Sequence, residues 1–207
     1  MRRHDKEVTD STAIAQVLDT AEWGTLGLVA PDGHPVLVPL NFLHLDGRIY
    51  FHGSPAGEKM DCLAHSGEAT FLVVDAYAQV PSYAFDPVKA CPATQYFKSV
   101  LLYGQIGPVT DPARKAEVLQ ALMRKLQPEG GYAPITAGDP MYQASVNGVA
   151  VLELVVARTS AKFNLGRALS ADKRAAVTGV LTQRGCPLDR AESRSVARTR
   201  QEIPACA

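Results

Sequence analysis

The sequence predicts an α+β fold, an antiparallel β-barrel of five or six strands with helices at its beginning, middle and end. Three observations carry that prediction. Strand-like apolar runs recur between turn signals, and twice the signal is an Asp-Gly dipeptide, at Asp32-Gly33 and Asp46-Gly47, a strong hairpin signature. The first three runs have no helical pattern between them, which excludes the strand–helix alternation of a Rossmann sheet. Finally, 207 residues with 46% apolar content suffice for one sizeable core and are too hydrophobic for wholesale disorder.

The elements follow in order. Thr9 or Asp10 caps a first helix, in which Ile14, Val17, Leu18 and Ala21 fall at i, i+3, i+4 and i+7, the stripe of an amphipathic helix. It ends near Trp23-Gly24, and Trp23 is expected in the core where this helix meets the barrel. Residues 25–30, 35–45 and 48–52 read as a three-strand meander. Pro35 and Pro39 give the second strand an edge, a bulge or a kink, since proline cannot donate to a ladder. After Gly57 a short helix (EKMDCLAH) precedes a fourth strand, ATFLVVDAY. Residues 78–94 hold three prolines and no periodicity, so they are expected to form a long loop, either a functional lid or a variable surface segment.

A fifth strand covers Tyr96–Ile106. Asp111-Pro112 then opens a helix with an aspartate cap and proline in the first turn, its expected buried stripe being Leu119, Leu122, Met123 and Leu126. Residues 127–148 look irregular. Val149–Ala157 is a sixth strand, and a last helix over residues 171–184 presents Val177, Val180 and Leu181 on one face. One domain over residues 1–185 is expected. The segment 186–207, with four arginines and almost no apolar anchor, is expected to be a disordered tail.

Composition narrows the function. Lys plus Arg equals Asp plus Glu at 21 each, so no long-range field favours nucleic acid. MRRHDKEVTD has no apolar run behind its arginines, as a secretory signal would, and no stretch reaches the length of a membrane span. Cys62, Cys91, Cys186 and Cys206 form no C-x-x-C pair, which fits free thiols in a cytoplasmic setting better than a disulfide scaffold or thiolate zinc site. His34, His44 and His65 lack metal-like spacing, and no metal site is expected.

The segment Ile49-Tyr50-Phe51-His52-Gly53-Ser54-Pro55-Ala56-Gly57-Glu58-Lys59-Met60 is the informative one. A strand ends, turns through small residues and enters a helix bearing a lysine. Helix-end N–H groups beside a lysine and a serine hydroxyl suit a phosphate ester. From these residues alone an ordinary β–α turn with a solvated lysine is the commoner reading. The spacing is not that of a P-loop, because Gly53 and Gly57 are one residue too close and Met60 stands where Ser or Thr is required.

The ordered set G-T-L-G, D-G-H-P-V-L-V-P-L-N-F, D-G-R-I-Y-F-H-G, A-G-E-K and Y-F-K-S-V-L-L-Y-G resembles the pyridoxamine 5′-phosphate oxidase-related, FMN-binding split-barrel family. Within it the chain is most similar to the subgroup that includes Nim-type nitroimidazole-resistance proteins. The resemblance covers roughly residues 5–184 and implies a six-stranded antiparallel split β-barrel, a homodimer, and FMN in a groove at the subunit interface. It places Val38, Pro39, Leu40 and Asn41 beside the flavin ring, and His52, Gly53 and Ser54 near the ribityl-phosphate. It pairs Lys59 with the phosphate and makes Ser99 a polar flavin contact. His52 is the one catalytic candidate, as a proton donor near the flavin or simply as a hydrogen-bond partner of the phosphate. Tyr83, Phe85 and Cys91 lie on the long loop, which either covers the flavin and shapes a substrate pocket or is a variable surface segment.

The family's arginine-rich flavin strand and Arg-Leu-His-type substrate motif are missing, so oxidation of pyridoxamine phosphate itself is not expected. The implied function is an FMN-dependent oxidoreductase that passes electrons from a reduced nicotinamide to a small acceptor such as a nitroaromatic or quinone. No G-x-G-x-x-G follows a strand, so the donor would bind directly over the flavin. Two alternatives stay open: a non-catalytic flavin carrier or sensor, and a related split barrel holding haem or a deazaflavin.

Overall fold

A computed structural model describes residues 4–185, so the expectation of a disordered segment over 186–207 lies outside the described residues. The strands are β1 (Glu7–Val8), β2 (Trp23–Val29), β3 (Pro35–Asn41), β4 (Leu43–Leu45), β5 (Arg48–Gly53), β6 (Glu68–Val80), β7 (Thr94–Pro108) and β8 (Ala150–Asn164). The helices are α1 (Ser11–Thr20), α2 (Glu58–His65), α3 (Pro112–Leu126), α4 (Pro140–Gly148) and α5 (Ala171–Arg184). Hydrogen-bonded neighbours run β3-β2-β6-β7-β8-β5-β4, with β1 added to β8. The pairs β1–β8, β2–β3, β2–β6, β4–β5 and β5–β8 are all antiparallel. The α+β class is as expected, with eight strands among the described residues where six were read.

The difference has two sources. β1 is a two-residue addition, Glu7 facing Lys162 and Val8 facing Ala161. The run 35–45 breaks at Phe42, which is fully buried and packs edge-on against Phe71 at 5.1 Å. The break sends β3 and β4 to opposite ends of the strand order. The expected meander is therefore two hairpins. β2–β3 turns through Asp32, whose carboxylate accepts from the His34 N–H at 3.1 Å. β4–β5 turns through Asp46 (φ 52°) and Gly47 (φ 72°), the two positive φ values of a type I′ turn.

The described residues cluster into two compact units, one of residues 4–17, 74–100 and 160–185 and one of residues 18–73 and 101–159. In the first, α5 presents Val177 and Leu181, both fully buried, to Val80 and Tyr96, with Val180 partly buried beside them, matching the expected face. Ser170 caps α5 and Gly185 closes it in the left-handed conformation. In the second, Phe51 stacks on Phe71 at 6.2 Å, and Val118 and Leu122 of α3 pack on Leu43, Tyr50 and Val151.

Other expectations are corrected. Trp23 is 57% exposed, since it begins the strand next to the edge strand, opposite Asn41. α3 starts as read, with Asp111 accepting from the N–H groups of Ala113 and Arg114. Its buried residues are Lys115, Ala116, Val118 and Leu122, whereas Leu126 is exposed; the helix is turned toward the β4–β5 cluster. Residues 127–148 contain α4, capped by Asp139 with Pro140 in its first turn. The long loop shortens to residues 81–93 and includes a 3-10 turn, Ser82–Ala84. β6, β7 and β8 all run past the expected ends; in β8 the extension is where β1 pairs, at Ala161 and Lys162. No helix among the described residues is long and apolar enough to cross a membrane.

Candidate functional site

β5 buries Ile49, Tyr50 and Phe51 in succession and then emerges at His52 and Gly53. Its register opposite β8 pairs His52 with Val151 and Gly53 with Ala150. The chain turns through Ser54, whose hydroxyl oxygen accepts from the Ala56 N–H at 3.2 Å. It enters α2 at Gly57, whose φ of 104° lies where a Cβ would be strained. No side chain caps this end of α2; the Met60 N–H donates to the Gly57 carbonyl at 2.7 Å, which leaves the Glu58 and Lys59 N–H groups without a protein cap.

Lys59 folds back over the strand end. A Cβ on Gly53 would lie 2.5 Å from the Lys59 Nζ, so the ammonium occupies the space that glycine leaves. Lys59 is half-buried, and it has no hydrogen bond or ion pair among the described residues. Burial lowers its pKa from the ordinary lysine value. His52 is lowered as well, first by burial and then by the Lys59 charge. The imidazole is exposed along much of its surface, so this withdrawal from water is partial. Two basic groups thus converge at the start of α2; its first turn also carries Glu58 and Asp61, but neither forms an ion pair with Lys59 or His52 among the described residues. That arrangement stabilises an anion, because a bound anion would satisfy the amides and offset the cost of charging both side chains.

The strand expected to flank a flavin ring, β3, has β2 on one side and ends the strand order on the other. Ala30 N–H donates to the His34 carbonyl at 2.8 Å across the hairpin. By antiparallel alternation, Val36, Val38 and Leu40 then exchange hydrogen bonds with β2, while Pro35, Leu37, Pro39 and Asn41 turn their backbone groups outward. Both prolines sit at outward positions, where no ladder donor is lost. The outward N–H donors are therefore those of Leu37 and Asn41. Leu37, which is 71% exposed, lies within the strand expected beside the flavin ring, and the i, i+4 spacing of the prolines marks the outward positions. The Asn41 amide is fixed by donating to the Glu22 carbonyl at 3.1 Å.

The structure brings His52, Gly53, Ser54 and Lys59 onto one turn, in the same unit as Val38–Asn41. Ser99 belongs to the other unit, and its hydroxyl donates to the Lys162 carbonyl at 3.3 Å. His44 meets Asp19 at 2.8 Å and His34 meets Asp32 at 3.1 Å, each a single carboxylate partner. Tyr83 and Cys91 are exposed, whereas Phe85 packs on the α5 core.

A sequence profile of the family described as pyridoxamine 5′-phosphate oxidase matches residues 10–163. Solved structures share the fold. A candidate 5-nitroimidazole antibiotic resistance protein from Bacteroides thetaiotaomicron is 20% identical, with a TM-score of 0.61 over 75% of this chain and 85% of that one. A flavocytochrome from Azotobacter vinelandii is 25% identical, with a TM-score of 0.65 over 79% of this chain and 72% of that one. An FAD- and heme-binding protein from Mycobacterium smegmatis is 25% identical, with a TM-score of 0.65 over 83% and 80%. No curated protein matches the chain.

Proposed function

The chain belongs to the pyridoxamine 5′-phosphate oxidase family, and from that premise we propose that it is a flavin-binding oxidoreductase whose cofactor is FMN. The observation that carries the proposal is the Lys59 ammonium, drawn over Gly53 at the start of α2 with no ion pair among the described residues. Two 25%-identical structures named for a flavocytochrome and for FAD and heme binding support a flavin-type ligand.

A bound flavin supplies reversible redox chemistry that no side chain has; the protein binds and orients it. Lys59 and the first-turn amides of α2 hold the phosphate. The His52 ring, kept neutral near pH 7 by burial and by Lys59, hydrogen-bonds the same group or moves a proton at its ring nitrogens. The outward backbone of β3 offers the Leu37 and Asn41 donors to the ring edge. Electrons would come from a reduced nicotinamide and pass to a small nitroaromatic or quinone, in a cytoplasmic homodimer with the flavin at the subunit interface.

Heat release of the co-purifying ligand, followed by its mass and absorbance spectrum, tests the cofactor. FMN supports the reading, and a protein that neither carries nor takes up any flavin overturns it. A haem spectrum would instead place the chain with the haem-binding relatives. NADH or NADPH oxidation with an added quinone or nitroaromatic separates an enzyme from a carrier, and light scattering of the flavin-loaded protein tests the dimer.

A further inference from the structure

We propose that the unit of residues 4–17, 74–100 and 160–185 carries a second binding site, which takes a small planar aromatic acid. A cavity of about 500 Å³ lies wholly within it, a size suited to a small organic ligand. Phe85, Tyr96 and Phe163 give it aromatic walls, and Arg167 and Lys173 stand at its rim.

Local structure builds this wall. Asn164 ends β8 with its side-chain amide donating to the Gln95 carbonyl, which ties the strand end to β7. The chain then turns at Gly166, with φ 66°, and the turn is closed by the Leu169 N–H on the Gly166 carbonyl at 3.0 Å. A side chain at position 166 would collide with the Tyr96 hydroxyl, so glycine lets the backbone pass directly over the phenol. This fixes the segment 165–169 beside the cavity, and Arg167 lies with its guanidinium 5.9 Å from the Phe163 ring centre.

Charge selects the ligand. Three basic residues and two acidic ones line the cavity, Lys6, Arg167 and Lys173 against Asp5 and Asp86. Asp86 is occupied by its own loop, accepting from the N–H groups of Val88 and Lys89 at 2.9 Å each, which holds its carboxyl below the usual carboxylate range. Arg167 and Lys173 form no ion pair among the described residues. An acid on a flat ring satisfies both features at once: the ring stacks between aromatic walls and the carboxylate meets the exposed cations at the mouth. None of these residues is assigned to the flavin phosphate, and although Phe85 lies on the loop that the sequence offers as a flavin cover, following the flavin absorbance separates the two sites.

The test is calorimetric titration of the full, flavin-loaded chain with naphthoate and with its neutral analogue naphthamide, while flavin absorbance is followed. Naphthoate should bind one per chain without displacing flavin. Its affinity should fall about tenfold or more when Arg167→Gln and Lys173→Gln are combined, whereas naphthamide should be indifferent to that change. Both substituted residues are exposed, so the fold is not at stake. Ala168→Trp, at another exposed lining position, should block both probes. Absence of naphthoate binding, or equal affinity in the parent and the double variant, would overturn the proposal. So would release of the flavin by naphthoate, which would put the probe in the flavin site.

Discussion

Lys59→Ala is the perturbation with the clearest expected size. In the ligand-free protein the ammonium is half-buried over Gly53 without a partner, and burial already disfavours its charge. Adding a phosphate dianion gives it a charge-assisted hydrogen bond, of the class that contributes roughly 1.5–3 kcal/mol. The variant should therefore bind FMN about 10- to 150-fold more weakly. Binding should survive in part, because the uncapped amides of α2 remain and contribute about 0.3–1 kcal/mol. Riboflavin, which lacks the phosphate, should bind variant and parent alike. Removing an unpartnered buried charge should leave the thermal midpoint of the ligand-free protein unchanged or higher, the mark of a residue kept for binding and not for folding. Gly53→Ala gives a second route to the same loss, since its methyl would displace the ammonium while keeping the lysine. Fluorescence-quenching titrations at one ionic strength measure all of these. Equal FMN affinity in the parent and Lys59→Ala would refute the reasoning and make Lys59 a solvated surface charge.

The remaining predictions concern pH and packing. His52 has a depressed pKa in the fold, so the unfolded chain takes up the proton first, and ligand-free stability should fall as pH drops below about 6.5; His52→Gln should flatten that part of the profile in denaturant titrations, and identical profiles would contradict it. Arg114 donates to the Tyr50 hydroxyl at 2.9 Å, to Asp46 at 3.0 Å and to Glu117 at 2.7 Å, so Arg114→Met should cost about 1–3 kcal/mol, and Lys, lacking the planar fork, should recover little of it. Gly104 packs directly against the Val155 carbonyl, leaving a methyl no room; Gly104→Ala should destabilise by about 1–3 kcal/mol or more. Gly107→Ala, with nothing within 4 Å of the new methyl, should be far milder in the same chemical denaturation.

Features set by a few adjacent residues were legible in the sequence. Asp46-Gly47 makes its hairpin turn, Asp111 caps α3, and the Val177/Leu181 face of α5 is buried, because turns, caps and helical stripes are decided by neighbours within a few positions. Even a local signal can pass unread: Asp139-Pro140 opens α4 with the chemistry that marks α3. The turn from His52 to Lys59 was visible as a pattern, but a solvated lysine and a phosphate ligand look the same in one dimension. Tertiary structure favoured the second by drawing the Nζ over Gly53 without an ion pair, although Glu58 and Asp61 share the first turn of α2. It also decided where 35–45 breaks, since only a distant ring, Phe71, gives Phe42 a reason to leave the ladder. The same holds for the exposure of Trp23, the rotation of α3 and the lengths of β6, β7 and β8. Each of these depends on which surface a segment meets, and residues far apart in sequence supply that surface.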